Sequence, residues 1–70
     1  QRAFKMAGVD IIVMSLWQVP DEETSEFMNN FYGNWLSGQN VKLAFNSAQR
    51  TMYKKYKTEP LKWAAFVLFE

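Results

Sequence analysis

Asp10-Ile11-Ile12-Val13-Met14-Ser15-Leu16-Trp17-Gln18-Val19-Pro20-Asp21-Glu22-Glu23 runs an apolar segment straight into a cluster of acids. Ile11 to Leu16 is rich in β-branched residues, carries no charge, and is too short for a buried helix, so it reads as a strand with two apolar faces. Strands of that kind lie inside sheets whose two faces are both covered. Val19-Pro20-Asp21 ends the strand, because proline has no N–H for a ladder and the residue before it is pushed away from helical angles. The sequence therefore predicts a strand-to-helix junction, the edge of an α/β sheet where ligand pockets form. Ser15 to Glu23 lies along that edge.

Outward from the junction, Glu22 to about Leu36 places Phe27, Met28, Phe31, Tyr32, Trp35 and Leu36 at i, i+1, i+4, i+5, i+8 and i+9. That is one broad helical stripe suited to a core. Ser37-Gly38 closes this helix, and Asn40 is a good N-cap for the next, whose stripe is Val41, Ala44, Phe45, Ala48, Met52 and Tyr56. Lys54, Lys55 and Lys57 crowd its end, where cations favour the negative pole of the dipole. Thr58-Glu59-Pro60 breaks the pattern, and Trp63 to Phe69 reads as a second strand, again apolar on both faces. Upstream, Arg2 to Ala7 reads as a helix with Gly8 at the left-handed C′ position.

The expected order is helix, strand, helix, helix, strand. An outgoing and a returning helix bring the chain back reversed, so the last strand should run antiparallel to the first.

Composition narrows the function classes. The 70 residues include neither histidine nor cysteine, the usual carriers of nucleophilic and transition-metal chemistry, so no metal or cofactor is expected and these residues cannot form a thiolate and imidazole pair. Eight basic and seven acidic residues leave a net charge of +1, with no polyelectrolyte signature for nucleic acid or anionic membrane. No apolar run approaches the about 20 residues of a membrane span, and no secretory leader lies within these residues. A cysteine-free chain fits a reducing cytosol and equally any other compartment, so it does not decide the location; a cytoplasmic one is the expectation.

So short a chain buries little core unaided. Yet 49% of it is hydrophobic and 17% aromatic, so its two-sided strands call for partners outside the chain. Gln1 in place of methionine, followed by a helix tail without a cap, points to the C-terminal piece of a longer protein.

Several segments resemble one family. They are Gln1-Arg2-Ala3-Phe4 leading to Ala7-Gly8, Ser15-Leu16-Trp17-Gln18-Val19 with Asp21, and Phe31-Tyr32 with Trp35-Leu36 and Gly38. Ala44-Phe45 with Ala48-Gln49 and the terminal Trp63-Ala64-Ala65-Phe66-Val67-Leu68 complete the pattern. Together they resemble the C-terminal third of a CHAT domain, a caspase-like cysteine-peptidase module related to separase, with residues 1–70 as a fragment of one such domain.

The resemblance implies part of a three-layer α/β/α sandwich, with a His and Cys dyad on upstream loops at the sheet's carboxyl edge. It also implies that the loop after the Ile11–Leu16 strand lines the pocket for the P1 side chain of a protein or peptide substrate. Asp21 holds the acid position of a W-x-V-x-D pattern that faces a basic P1 residue in separase-like relatives. Pro20 departs from the Thr or small polar residue often found before that acid.

Each candidate residue carries a structural alternative. Asp21 as a helix cap would contribute about 1 kcal/mol without any substrate. Glu22 and Glu23 suit the first turn as dipole partners. Ser15, with no histidine beside it, suits hydrogen bonding or packing rather than attack, and Trp17 is the better pocket-wall candidate. The expected partners are the remainder of the same CHAT domain and a protein substrate, with oligomerisation through exposed strands as a further option. A non-catalytic CHAT-like interaction module is the alternative to a peptidase.

Overall fold

A computed structural model of the chain describes residues 2–5 and 11–69. In chain order it contains strand β1 (Arg2–Lys5), strand β2 (Ile12–Ser15), helix α1 (Asp21–Leu36) and helix α2 (Val41–Lys55). A short 3-10 turn (Pro60–Lys62) then leads into strand β3 (Phe66–Phe69). The strands form one sheet in the order β1-β2-β3, with β2 in the centre. The fold is a partial α/β unit, and β3 runs antiparallel to β2 with Ser15 opposite Phe66 and Ile12 opposite Phe69.

The central segments form as the residue pattern demands. Asn40 caps α2 through its side-chain oxygen, which accepts from the Leu43 N–H at 2.8 Å. Ala44, Phe45, Ala48 and Met52 of its stripe are buried, with Val41 and Tyr56 packed at the margin. Between the helices, Gly38 takes a φ of 112°, a region open to glycine at little cost. The Ser37 and Gly38 N–H groups close the α1 end on the Gly33 and Trp35 carbonyls, both at 3.1 Å.

The Arg2–Ala7 helix requires correction, because Arg2–Lys5 is a strand paired antiparallel with β2, Arg2 opposite Ser15 and Lys5 opposite Ile12. A helix of six residues fixes its nucleus for very few hydrogen bonds. The edge of β2 instead offers a row of N–H and C=O groups that an extended segment satisfies at once. The Gly8 cap assignment falls outside the described residues. Strand β3 is also shorter than expected, since Trp63 to Ala65 form turns ahead of it.

Alternation along the strands separates the sheet's two faces. Val13 and Ser15 of β2 and Phe66 of β3 are buried beneath the helices. Phe27 of α1 stacks on Phe66 with ring centroids 4.2 Å apart and planes 2° from parallel. The opposite face carries Ile12, Leu16 and Phe69, the last two 46% and 53% exposed. Both helices lie over one face, and among the described residues no helix covers the other. Nor, among them, is any helix long and apolar enough to cross a membrane.

Candidate functional site

The junction between β2 and α1 is held by contacts to the segment that leads into β3. The Leu16 N–H donates to the Ala65 carbonyl at 2.8 Å, which carries the ladder one residue past Ser15. The Trp17 indole Nε1–H donates to the Leu61 carbonyl at 2.9 Å. Lys62 Nζ lies 3.0 Å from Glu23 Oε2 and 3.1 Å from Glu59 Oε1. The rim is therefore made of two pieces far apart in sequence, residues 15–23 and residues 59–65.

The helix start itself differs from the capping expectation. Pro20, with φ −54° and ψ 148°, is the N-cap residue of α1, and no side chain caps the helix. Its carbonyl accepts the Thr24 N–H at 3.0 Å, so Asp21 becomes the first helical residue rather than the cap. Proline fixes φ near the helical value and lacks the N–H that this position would leave unsatisfied, so the helix begins directly after it. Thr24, buried beneath the turn, donates its hydroxyl to the Val19 carbonyl at 3.4 Å and ties the first turn back to the loop. Asp21, Glu22 and Glu23 all lie in that turn, where the dipole favours anions.

The structure sorts the candidate residues by accessibility. Ser15 is 4% exposed and shares the helix-covered face with Val13, so its hydroxyl is closed to solvent. Trp17 is half-buried against the core, with its N–H engaged by Leu61. Asp21 is exposed, as is Glu22. The end of β2 and the segment after it thus carry two exposed acids, Asp21 and Glu22, a half-buried indole at Trp17 and a buried serine at Ser15.

Glu23 does more than complement the dipole. Its side chain is only 8% exposed, and Lys62 neutralises it from across the rim. Lys62 is in turn held above its usual lysine range, first by Glu23 and then by Glu59. The burial of Glu23 has a sequence signal, because position 23 stands one helical turn before Phe27 on the apolar stripe. The identity of its partner has none, since Lys62 is separated from it by the whole α1–α2 hairpin. Gln49 was likewise unassigned, and its Nε2 donates to the Trp63 carbonyl at 3.3 Å and the Phe66 carbonyl at 3.2 Å.

A family model described as "CHAT domain" matches residues 1–70. The chain belongs to the CHAT family. This CHAT segment is 34% identical over 68 residues to tetratricopeptide repeat protein 28 of Homo sapiens, and 31% identical to that of Mus musculus. Each alignment covers 96% of the segment and 3% of the relative, so the chain spans a small fraction of these proteins' length. No solved structure matches the CHAT segment.

Proposed function

We propose that residues 1–70 are the C-terminal part of a caspase-like CHAT cysteine-peptidase domain, supplying sheet core and one wall of the P1 pocket to a His and Cys dyad located upstream. The observation that carries this reading is the rim itself. Asp21 and Glu22 are exposed after the carboxyl end of the central strand, while the third nearby acid, Glu23, is buried against Lys62. Exposed carboxylates at the end of a strand, close in sequence to an indole, suit an Arg or Lys side chain, with Asp21 as the pairing acid and Trp17 as the flat wall for its methylenes. Ser15 supports the wall from beneath.

The bare apolar face of the sheet agrees with a fragment of a larger domain. Ile12, Leu16 and Phe69 would be covered by the remainder of the same CHAT domain, giving the third layer of an α/β/α sandwich. A cytoplasmic location for the parent belongs to the same proposal.

The test is hydrolysis of peptides with Arg, Lys, Ala or Glu at P1 by the full-length parent and its Asp21→Ala variant. The expected result is a selective loss of kcat/KM on Arg and Lys peptides, because removing one partner of a desolvated charge pair costs about 2 to 5 kcal/mol. Equal rates for the two proteins on basic P1 would overturn the pocket role.

A second reading, a non-catalytic CHAT-like interaction module, is favoured by the relatives' name, which describes tetratricopeptide repeats. Such repeats form extended scaffolds for partner docking. Under that reading the parent cleaves none of the peptides, and Asp21→Ala weakens a partner complex instead.

A further inference from the structure

Strand β3 is the outer strand of the sheet, and among the described residues nothing pairs with its far edge. Antiparallel ladders alternate between residues whose backbone groups face the neighbouring strand and residues whose groups face away. Leu16 bonds to Ala65, and the register pairs Met14 with Val67 and Ile12 with Phe69, so Ala65, Val67 and Phe69 face β2. Phe66 and Leu68 therefore direct their N–H and C=O groups outward. Gln49 confirms this alternation by donating to the Phe66 carbonyl from the outer side. The Leu68 N–H and C=O form the next outward pair along the edge.

That edge borders a groove of about 420 Å³ between α2 and β3. Phe45, Phe66 and Leu68 form its apolar lining, and Lys42, Asn46 and Gln49 supply its polar side. The four α2 residues are spaced i, i+3, i+4 and i+7, so they form one face of the helix. Lys42 is exposed and makes no ion pair among the described residues. It also stands in the first turn of α2, which holds no acid, where a cation opposes the helix dipole. An unpaired lysine at the wrong end of a helix, beside an apolar groove and an open strand edge, is explained by a ligand that brings a carboxylate.

We propose that the β3 edge beside α2 receives an extended acidic peptide segment of a partner protein, which adds to the sheet as a fourth strand. One backbone pair forms at Leu68. The side chain opposite Leu68 enters the Phe45–Phe66–Leu68 lining, and the side chain two residues away, on the same face, places its carboxylate at Lys42. Charge complementarity selects this occupant over a second copy of the chain, which would bring the same basic lining against itself. The groove shares no residue with the rim at Ser15 to Glu23, so it stands or fails independently of the P1 reading.

The test uses the full-length protein containing this chain and a dye-labelled, end-capped Glu-Thr-Leu-Thr-Glu peptide, which reads the same in either strand direction. Saturable binding by fluorescence anisotropy is expected. Lys42→Glu should weaken it about tenfold, by losing an attraction and adding a repulsion, and should gain binding of Lys-Thr-Leu-Thr-Lys. The substitution puts an acid in the first turn, so α2 is not weakened by it. Methylating the leucine amide of the peptide should abolish binding, because the pair at Leu68 is lost while the charges stay. Absence of binding, equal affinity for Lys42→Glu, or indifference to methylation overturns the proposal. So does a concentration-dependent dimer that excludes the peptide, which would make a second copy the occupant.

Discussion

Phe27→Ala tests how the core holds the rim. Phe27 is fully buried, stacked on Phe66 at 4.2 Å, with Phe45 edge-on at 5.3 Å and Phe31 at 6.3 Å. Truncation of a Phe in such surroundings leaves a cavity bounded by rigid rings, which collapse poorly, and costs about 3 to 5 kcal/mol. Phe27→Leu keeps most of the volume, so its cost is about 1 to 1.5 kcal/mol for shape together with the lost ring contact. Because Phe66 pairs with Ser15 across the ladder, the stack couples α1 to the strand that carries the rim. A double-mutant cycle of Phe27→Leu with Phe66→Leu should give a coupling of about 0.5 to 1.5 kcal/mol. Urea unfolding of the complete CHAT domain reads these values as shifts of midpoint at constant m. A Phe27→Ala cost under about 1.5 kcal/mol, or no coupling with Phe66, would refute the claim that this stack joins helix to sheet.

Two further perturbations have clear directions. Lys62→Met should destabilise the domain more than Glu23→Gln, since the first strands a buried carboxylate while the second leaves Lys62 its Glu59 partner; urea midpoints in the reverse order would sink this assignment. Glu26 accepts from Lys55 Nζ and the Tyr56 hydroxyl, both at 2.7 Å; Lys55 first and Tyr56 second hold its pKa below the ordinary 4.5, so its contribution is full above 4.5 and fades as pH falls through the lower folded value. Glu26 in turn raises Tyr56 above 10.0 and Lys55 above 10.5, so their contribution is present below those values and fades as pH rises through the folded ones. Glu26→Gln should flatten both limbs of the thermal midpoint against pH, and a profile superimposable on wild type would contradict the cluster's role.

The helical hairpin was legible because its periodicity needed no partner beyond the chain. The stripe from Phe27 to Trp35, the Asn40 cap and the Gly38 turn each follow from local chemistry, and each appears in the structure. Tyr32 and Leu36, assigned to the same stripe, are exposed, since the stripe is broader than the face that the sheet covers. The extended segments were less legible because pairing is nonlocal. Arg2–Lys5 has residues that suit a helix, and only the open edge of β2 makes it a strand. At the rim, Ser15, Trp17 and Asp21 were visible as a strand-to-helix junction. Their contacts were not, since Leu61, Lys62 and Ala65 arrive from the far side of the hairpin.

That nonlocal origin has a consequence for the rim's mechanics. Three separate ties fix residues 16–23 to residues 61–65: a ladder bond at Leu16, an indole bond at Trp17 and an ion pair at Glu23. Short loops held at one end only sample many conformations, whereas each added tie removes freedom before a ligand arrives. The rim and the entry to β3 therefore move as one body, and the Pro60–Lys62 turn sets the shape of a surface to which it contributes no exposed acid. Pro60 stiffens that turn by fixing its φ, and the Trp63 N–H and Ala64 N–H both close on the Pro60 carbonyl, at 3.2 and 2.9 Å. A substitution at Pro60 thus acts on the geometry around Asp21 through Leu61 and Lys62 while leaving the rim's charge unchanged. Shape and charge at this site are separable, because the sequence assigns them to different segments.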